Sequence, residues 1–205
     1  MSAVSLRRLV AIAVFEGRQQ SGRRAFILSS LSTHKKYSDT GVFAYSREQI
    51  FEVVADVDKY HEFVPLCVGS TVFDSTRKTQ EMSRGQGICE RFEAELVVGY
   101  LPFRERYTSL VRLERPWRIV AKAVPNNGIF KHMRTVWELS PSSGSAGTDA
   151  PQSPFLRKRP ETLVTFIIEF EFNSILHAHA ASAAFEKIAK TTLSAYRARC
   201  QKLYG

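Results

Sequence analysis

Apolar residues alternate with polar ones in segment after segment between Val68 and Phe172, and on either side of that stretch they recur at helical spacing. "GICERFEAELVVGY" sets Phe92, Ala94, Leu96 and Val98 on one side against Arg91, Glu93 and Glu95. "FRERYTSLVRLE" sets Phe103, Glu105, Tyr107, Ser109 and Val111 opposite Arg104, Arg106, Thr108 and Arg112. "WRIVAKAV" and "IFKHMRTVWEL" continue the theme across the turn signal Pro125-Asn126-Asn127-Gly128. "TLVTFIIEFEFN" then places Val164, Phe166, Ile168, Phe170 and Phe172 on a single face. A period of two is the signature of a strand with one buried and one wet face, so the pattern predicts an antiparallel sheet of at least five successive strands. Residues 140–160 break the rhythm. They are rich in Ser, Gly and Pro and contain Arg157-Lys158-Arg159, the composition of a flexible hairpin insertion.

Ahead of the sheet, Gly41–Tyr45 reads as a short strand. Ser46 and Gln49 have the spacing of a capping box, opening a helix whose apolar side is Ile50, Phe51, Val53, Val54 and Val57. "DVDKYHEFVP" restarts a turn of helix that Pro65 ends, because proline has no backbone donor to continue it. At the other end, Ser174–Leu203 contains neither Pro nor Gly, and Leu176, Ala180, Ala184 and Ile188 recur every four residues. This long helix is the predicted cover for the Val164–Phe172 face, an α+β arrangement. Its face carries Ala178, Ala180, Ala181, Ala183 and Ala184 opposite large strand residues. Such residues either permit close packing or leave room for a ligand between helix and sheet.

Composition changes the picture mainly at the N-terminus. The 205 residues are 44% hydrophobic with 14 Phe, enough for a sizeable core, and the formal charge is +9. Residues 1–40 hold seven Arg and Lys against Glu16 and Asp39, a surplus of five, which leaves the remainder only +4. This head is Ser-rich and acid-poor, with Leu6, Leu9, Val10, Ala13 and Val14 at helical spacing between arginines, as in a mitochondrial targeting segment; a disordered basic tail has the same composition. Leu9–Phe15 is too short to span a bilayer. Arg24-Ala25-Phe26-Ile27-Leu28-Ser29 has the form of a two-step processing motif, with cuts after Ala25 and Thr33 leaving His34 first. The expected organisation is thus a targeting head over 1–40 and one domain over 41–205.

The usual chemical constellations are missing. Cys67, Cys89 and Cys200 form no close pair of the kind a zinc site or disulfide scaffold uses. His177 and His179 lie two apart on a helix and point to different sides. Glu90, Glu105 and Glu169 are scattered, Cys67 has no base near it in sequence, and no Gly-rich phosphate loop occurs. Arg104, Arg106 and Arg112 with Arg118 and Lys122 make a basic outer face suited to anionic lipid. The aromatics lie mostly on the opposite strand parity, so no nucleic acid is expected.

The segments "VADVDKYHEFVPLC", "LVVGYLPFRERYTS", "FKHMRTVWEL" and "FIIEFEFNSIL", in that order, resemble the mitochondrial coenzyme Q-binding proteins of the START/polyketide-cyclase-like superfamily. The resemblance implies a helix-grip fold, a curved antiparallel sheet wrapped around the C-terminal helix with an apolar cavity. It implies a non-catalytic carrier or chaperone that binds ubiquinone, with no catalytic cofactor, serving respiration and ubiquinone synthesis. The place implied is the matrix side of the inner mitochondrial membrane, held peripherally, with respiratory or quinone-synthesis complexes as partners. A cyclase-like enzyme and a ribosome-interacting protein are the alternatives within the same superfamily.

On this reading Phe63, Val64, Pro65 and Leu66 form the mouth of the cavity. Leu96, Val98, Met133, Trp137, Phe166, Ile168, Leu176, Ala180 and Ala184 line it, and Tyr107 offers a hydroxyl to the headgroup. Tyr107, Met133 and Trp137 also fit plain core packing. Leu66 stands where the family commonly has an aromatic, and the alanine-rich helix and long insertion also depart from its pattern.

Overall fold

The computed structural model describes residues 25–27, 33–82, 87–100, 103–125, 130–142, 160–173 and 175–205; of 25–27, 100, 103 and 175–185 it describes the backbone alone. Strands β1 (Ala25–Ile27) and β2 (His34–Phe43) precede helix α1 (Arg47–Ala55), a 3-10 turn (Val57–Lys59) and the single-turn helix α2 (Tyr60–Phe63). Six strands follow: β3 (Cys67–Glu81), β4 (Ile88–Tyr100), β5 (Phe103–Glu114), β6 (Arg118–Ala123), β7 (Phe130–Pro141) and β8 (Thr162–Phe172). Helix α3 (Ile175–Tyr204) closes the chain. The strands form one antiparallel sheet in the order β1-β2-β8-β7-β6-β5-β4-β3.

Local rules account for most of this. Ser46 Oγ accepts from Gln49 N–H while Gln49 Oε1 accepts from Ser46 N–H, the reciprocal cap that its spacing predicts. Ile50, Phe51, Val53 and Val54 are buried along α1, and Val57 follows them in. Strand β8 buries every second side chain from Thr162 to Phe172. Phe43, Phe51, Phe92 and Phe172 are almost wholly excluded from water, each contributing roughly 1.5–3 kcal/mol.

Among the described side chains of α3, the buried ones are Ala189, Thr192, Leu193, Tyr196 and Cys200. A repeat of four overruns the 3.6-residue turn, so the face that starts from Ile188 passes to these neighbouring positions. Residue 174 and the side chains of Leu176, Ala178, Ala180, Ala181, Ala183 and Ala184 lie outside what is described.

The expected boundary at residue 40 falls inside a strand. Strand β2 begins at His34 and pairs with β8 along its whole length, Tyr37 opposite Ile168 and Asp39 opposite Phe166. Tyr37 and Asp39 are buried and Tyr37 donates to Asp39, so this segment is part of the domain. Outward Lys36 and an inward aspartate disguise the alternation. The predicted insertion also shortens, since β7 runs on through Ser140 and Pro141; residues 143–159 and the turn at 126–129 lie outside the described residues.

Strand β3 is a sheet edge, and the 3-10 turn and α2 cover its first half. The Asp58 carboxylate accepts from Val72 N–H at 2.6 Å, and Ser70 Oγ donates to Asp58 C=O at 2.9 Å. Edge backbone groups that would otherwise invite another strand are thereby occupied.

Candidate functional site

A cavity of about 120 Å³ lies between the concave sheet face and α3. Ile188, Thr192 and Tyr196 of α3 roof it, and Val57, Tyr60, Val64 and Pro65 close one end. The floor comes from five strands: Ala94, Leu96 and Val98; Tyr107, Ser109 and Val111; Ile119 and Ala121; Phe130, Met133, Thr135 and Trp137; Phe166 and Ile168.

Register explains why space remains there. Ala94 of β4 pairs with Ser109 of β5, which pairs with Ala123 of β6, and Ala121 pairs with Thr135 of β7. Small side chains thus meet across four strands in the middle of the sheet, framed by Phe130, Trp137 and Phe166. On the sheet side of the cavity, neighbouring strands thus each contribute a short residue.

Of the residues singled out from the sequence, Val64, Pro65, Leu96, Val98, Tyr107, Met133, Trp137, Phe166 and Ile168 converge on this cavity. Phe63 and Leu66 do not. Phe63 turns to α3 instead, edge-on to Tyr196, with the Arg199 guanidinium over its ring and Glu62 paired to Arg199 at 2.9 Å. Leu66 is a half-buried residue in the left-handed region, φ 61°, and its carbonyl accepts from Gly99 N–H. The reversed backbone carries its side chain away from the lining. Gly99 is needed here, because a Cβ would lie 2.9 Å from the Val68 side chain. The lining residues that sequence reasoning missed include Val57, Tyr60, Cys67, Ala94, Ser109, Ala121, Thr135, Thr192 and Tyr196. Ala94 and Ser109 carried a signal, as short residues at inward positions of otherwise bulky strands.

The described lining contains no carboxylate, imidazole or ammonium group. Its titratable members are Tyr60, Tyr107, Tyr196 and Cys67, and burial pushes all four upward, so each stays neutral near pH 7. Tyr60 donates to Val54 C=O. Ser109 Oγ is buried without a hydrogen-bond partner among the described residues. The described lining can solvate an apolar body and offer hydroxyls to oxygen atoms, and none of its described side chains is charged near neutrality.

Charges lie on the outer surface, and mostly in pairs. Arg106 meets Glu95 at 2.9 Å, Arg112 meets Glu114 at 2.7 Å and Arg118 meets Glu138 at 3.3 Å, so the expected basic face is mixed in sign. Glu169 pairs with Lys36 and Arg134. Among the described residues there is no cluster of metal-ligating side chains, and no helix is long and apolar enough to cross a membrane.

A family model described as polyketide cyclase/dehydrase and lipid transport matches residues 43–197. The chain is 33% identical over 171 residues to the mitochondrial coenzyme Q-binding protein COQ10 homolog B of Xenopus laevis, covering 83% of this chain and 59% of that one. It is 32% identical over 155 residues to coenzyme Q-binding protein COQ10, mitochondrial, of Drosophila melanogaster, covering 76% and 54%. The chain therefore spans between about half and three-fifths of the length of these two relatives. Ribosome association toxin RatA of Escherichia coli K12 is 26% identical over 168 residues, 82% of this chain and 88% of that one. Among solved structures, a STAR-related lipid transfer protein fragment from Xanthomonas axonopodis superposes with a TM-score of 0.60 at 11% identity, covering 91% and 97%. The Zhui aromatase/cyclase of Streptomyces sp. R1128 does so with 0.57 at 16%, covering 82% and 94%. These two likenesses concern the fold alone.

Proposed function

The chain belongs to the polyketide cyclase/dehydrase and lipid-transport family, and from that premise we propose that it binds ubiquinone in the cavity between sheet and α3 as a non-catalytic carrier. One observation carries this reading above all: the described lining is almost wholly apolar, with no ionised group among the described residues, while two relatives at about a third identity are named as coenzyme Q-binding. Apolar surface removed from water stabilises by roughly 25 cal/mol per Å², which favours a prenyl chain against such walls. The same lining argues against cyclase-type chemistry, which needs a positioned base near neutral pH.

Val64 and Pro65, half-buried where α2 hands over to β3, form the mouth through which the tail passes. The protein works at the matrix face of the inner mitochondrial membrane, held peripherally, and supplies quinone to respiratory or quinone-synthesis complexes. The mitochondrial names of its relatives and the arginine-rich, acid-poor head support that location.

The test is to purify the chain from a ubiquinone-producing host, extract it with organic solvent and assay the extract by mass spectrometry. Near-stoichiometric ubiquinone is expected, and Val64→Lys should lose most of it while remaining folded. A folded wild-type protein that carries no quinone and takes up none when it is added would overturn the proposal.

A further inference from the structure

Ser109 is 1% exposed, its Oγ has no hydrogen-bond partner, and it lines the cavity. A buried hydroxyl left unpaired is destabilising, and such groups are rare in folded proteins unless something absent from the bare chain completes them. Its cross-strand neighbours are Ala94 and Ala123, so the hydroxyl stands in a hollow whose flanks are methyl groups.

A second hydroxyl lies two residues away on the same face of β5. Tyr107 is 9% exposed, and its ring packs edge-on against Phe130 at 5.8 Å. Strand rise puts positions 107 and 109 about 7 Å apart along β5. Register sets their depth as well: Glu105 lies level with Val98 and Cys67 near the α2 end, Tyr107 with Leu96, and Ser109 with Ala94 one row further in. The enclosed space, about 120 Å³, is close to that of engineered cavities of about 150 Å³ that take up a benzene ring. It is the size of a ring, not of a whole prenylated lipid.

We propose that Ser109, assisted by Tyr107, is an oxygen-recognition site that makes an amphipathic lipid enter ring-first, its hydrogen-bond-accepting oxygens on these hydroxyls and its tail directed past Val64 and Pro65. The inference rests on the carrier reading and adds which end enters and which residue selects it. The same apolar walls without Ser109 would accept a hydrocarbon as readily as an oxygenated ring. The unpaired hydroxyl discriminates, because only a ligand oxygen restores the hydrogen bond that burial has taken from it.

The experiment compares the full chain with Ser109→Ala, using two probes measured by equilibrium dialysis: decyl-substituted dimethoxy-benzoquinone and decylbenzene. The wild type should prefer the quinone. Ser109→Ala should weaken quinone binding by roughly tenfold, the worth of one hydrogen bond, and leave decylbenzene unchanged. Its melting temperature should be no lower than that of the wild type, because the variant deletes an unsatisfied group. Should the alanine variant not fold, Ser109→Cys keeps the shape with a weaker donor and should lose quinone affinity in the same sense. Unchanged quinone affinity, or equal loss of both probes, overturns the oxygen site while leaving the carrier reading intact. A wild type that binds neither probe removes the carrier reading and this inference with it.

Discussion

Phe63 meets Tyr196 edge to face, ring centroids 5.0 Å apart and planes at 84°, and this contact bolts the single-turn helix α2 to α3. Tyr196 also packs on Trp137 at 4.4 Å, and Trp137 on Phe166 at 4.6 Å, so a column of rings runs from α2 to the sheet. The segment that closes one end of the cavity is therefore held by aromatic packing with a cation over the outermost ring. Phe63→Ala should cost about 2 kcal/mol, less than a fully buried phenylalanine because Phe63 is half-buried. Amide exchange should rise in residues 57–66 before it rises elsewhere. Uniform protection across that segment would mean that α2 is held by other contacts.

Leu66 should respond to backbone chemistry more than to side-chain chemistry. Its positive φ suits glycine, so Leu66→Gly should lie within about 1 kcal/mol of the wild type, lost contact being offset by relieved strain. Leu66→Val should be clearly worse than Leu66→Gly, because a β-branched side chain tolerates this region least. Denaturant midpoints rank the two, and the reverse order would contradict the left-handed assignment.

Truncation locates the start of the domain. Removing residues 1–33 deletes β1, a three-residue strand paired only at Ala25–Ile27, and leaves β2 whole. That chain should fold with nearly the full melting temperature. Removing residues 1–40 also deletes Tyr37 and Asp39 from the core and most of the β2–β8 ladder, and should abolish cooperative unfolding. Equal behaviour of the two truncations would mean that β2 contributes little.

Glu90 should contribute to acid sensitivity. Hydrogen bonding from Arg115, and further from Arg77, holds its carboxyl below the ordinary glutamate value of 4.5. With the folded-state pKa lowered, the stabilisation is complete above pH 4.5 and is lost as pH falls through the folded-state value. Glu90→Gln should therefore narrow the stability difference between pH 7 and pH 3, by no more than about 1 kcal/mol because the network is partly solvated. Denaturant unfolding of both proteins at the two pH values measures it; parallel pH profiles would remove Glu90 from the account.

Some of this structure was legible in the residues themselves. Ser46 and Gln49 announced the cap, Pro65 the end of α2, and the alternation from Val164 to Phe172 a strand with one dry face. These are local regularities, set by backbone geometry over a few residues, and a single chain displays them openly. Resemblance to a known family supplied the fold and the apolar cavity in advance.

Where the pattern is regular, as in α1 and β4 to β8, chain order is enough to show the element and its inward face, because periods of two and 3.6 follow from the backbone alone. Where space remains depends on packing between distant segments. Ala94, Ser109, Ala121 and Thr135 belong to four different strands and meet only through register, so their combined small volume has no signature along the chain. Packing likewise made His34–Phe43 an inner strand against β8 despite its lysines and inward aspartate. It turned Phe63 towards Tyr196, and the reversed backbone at Leu66 took that side chain out of the lining. Each of these outcomes depends on which distant side chain lies opposite, and chain order alone does not specify that.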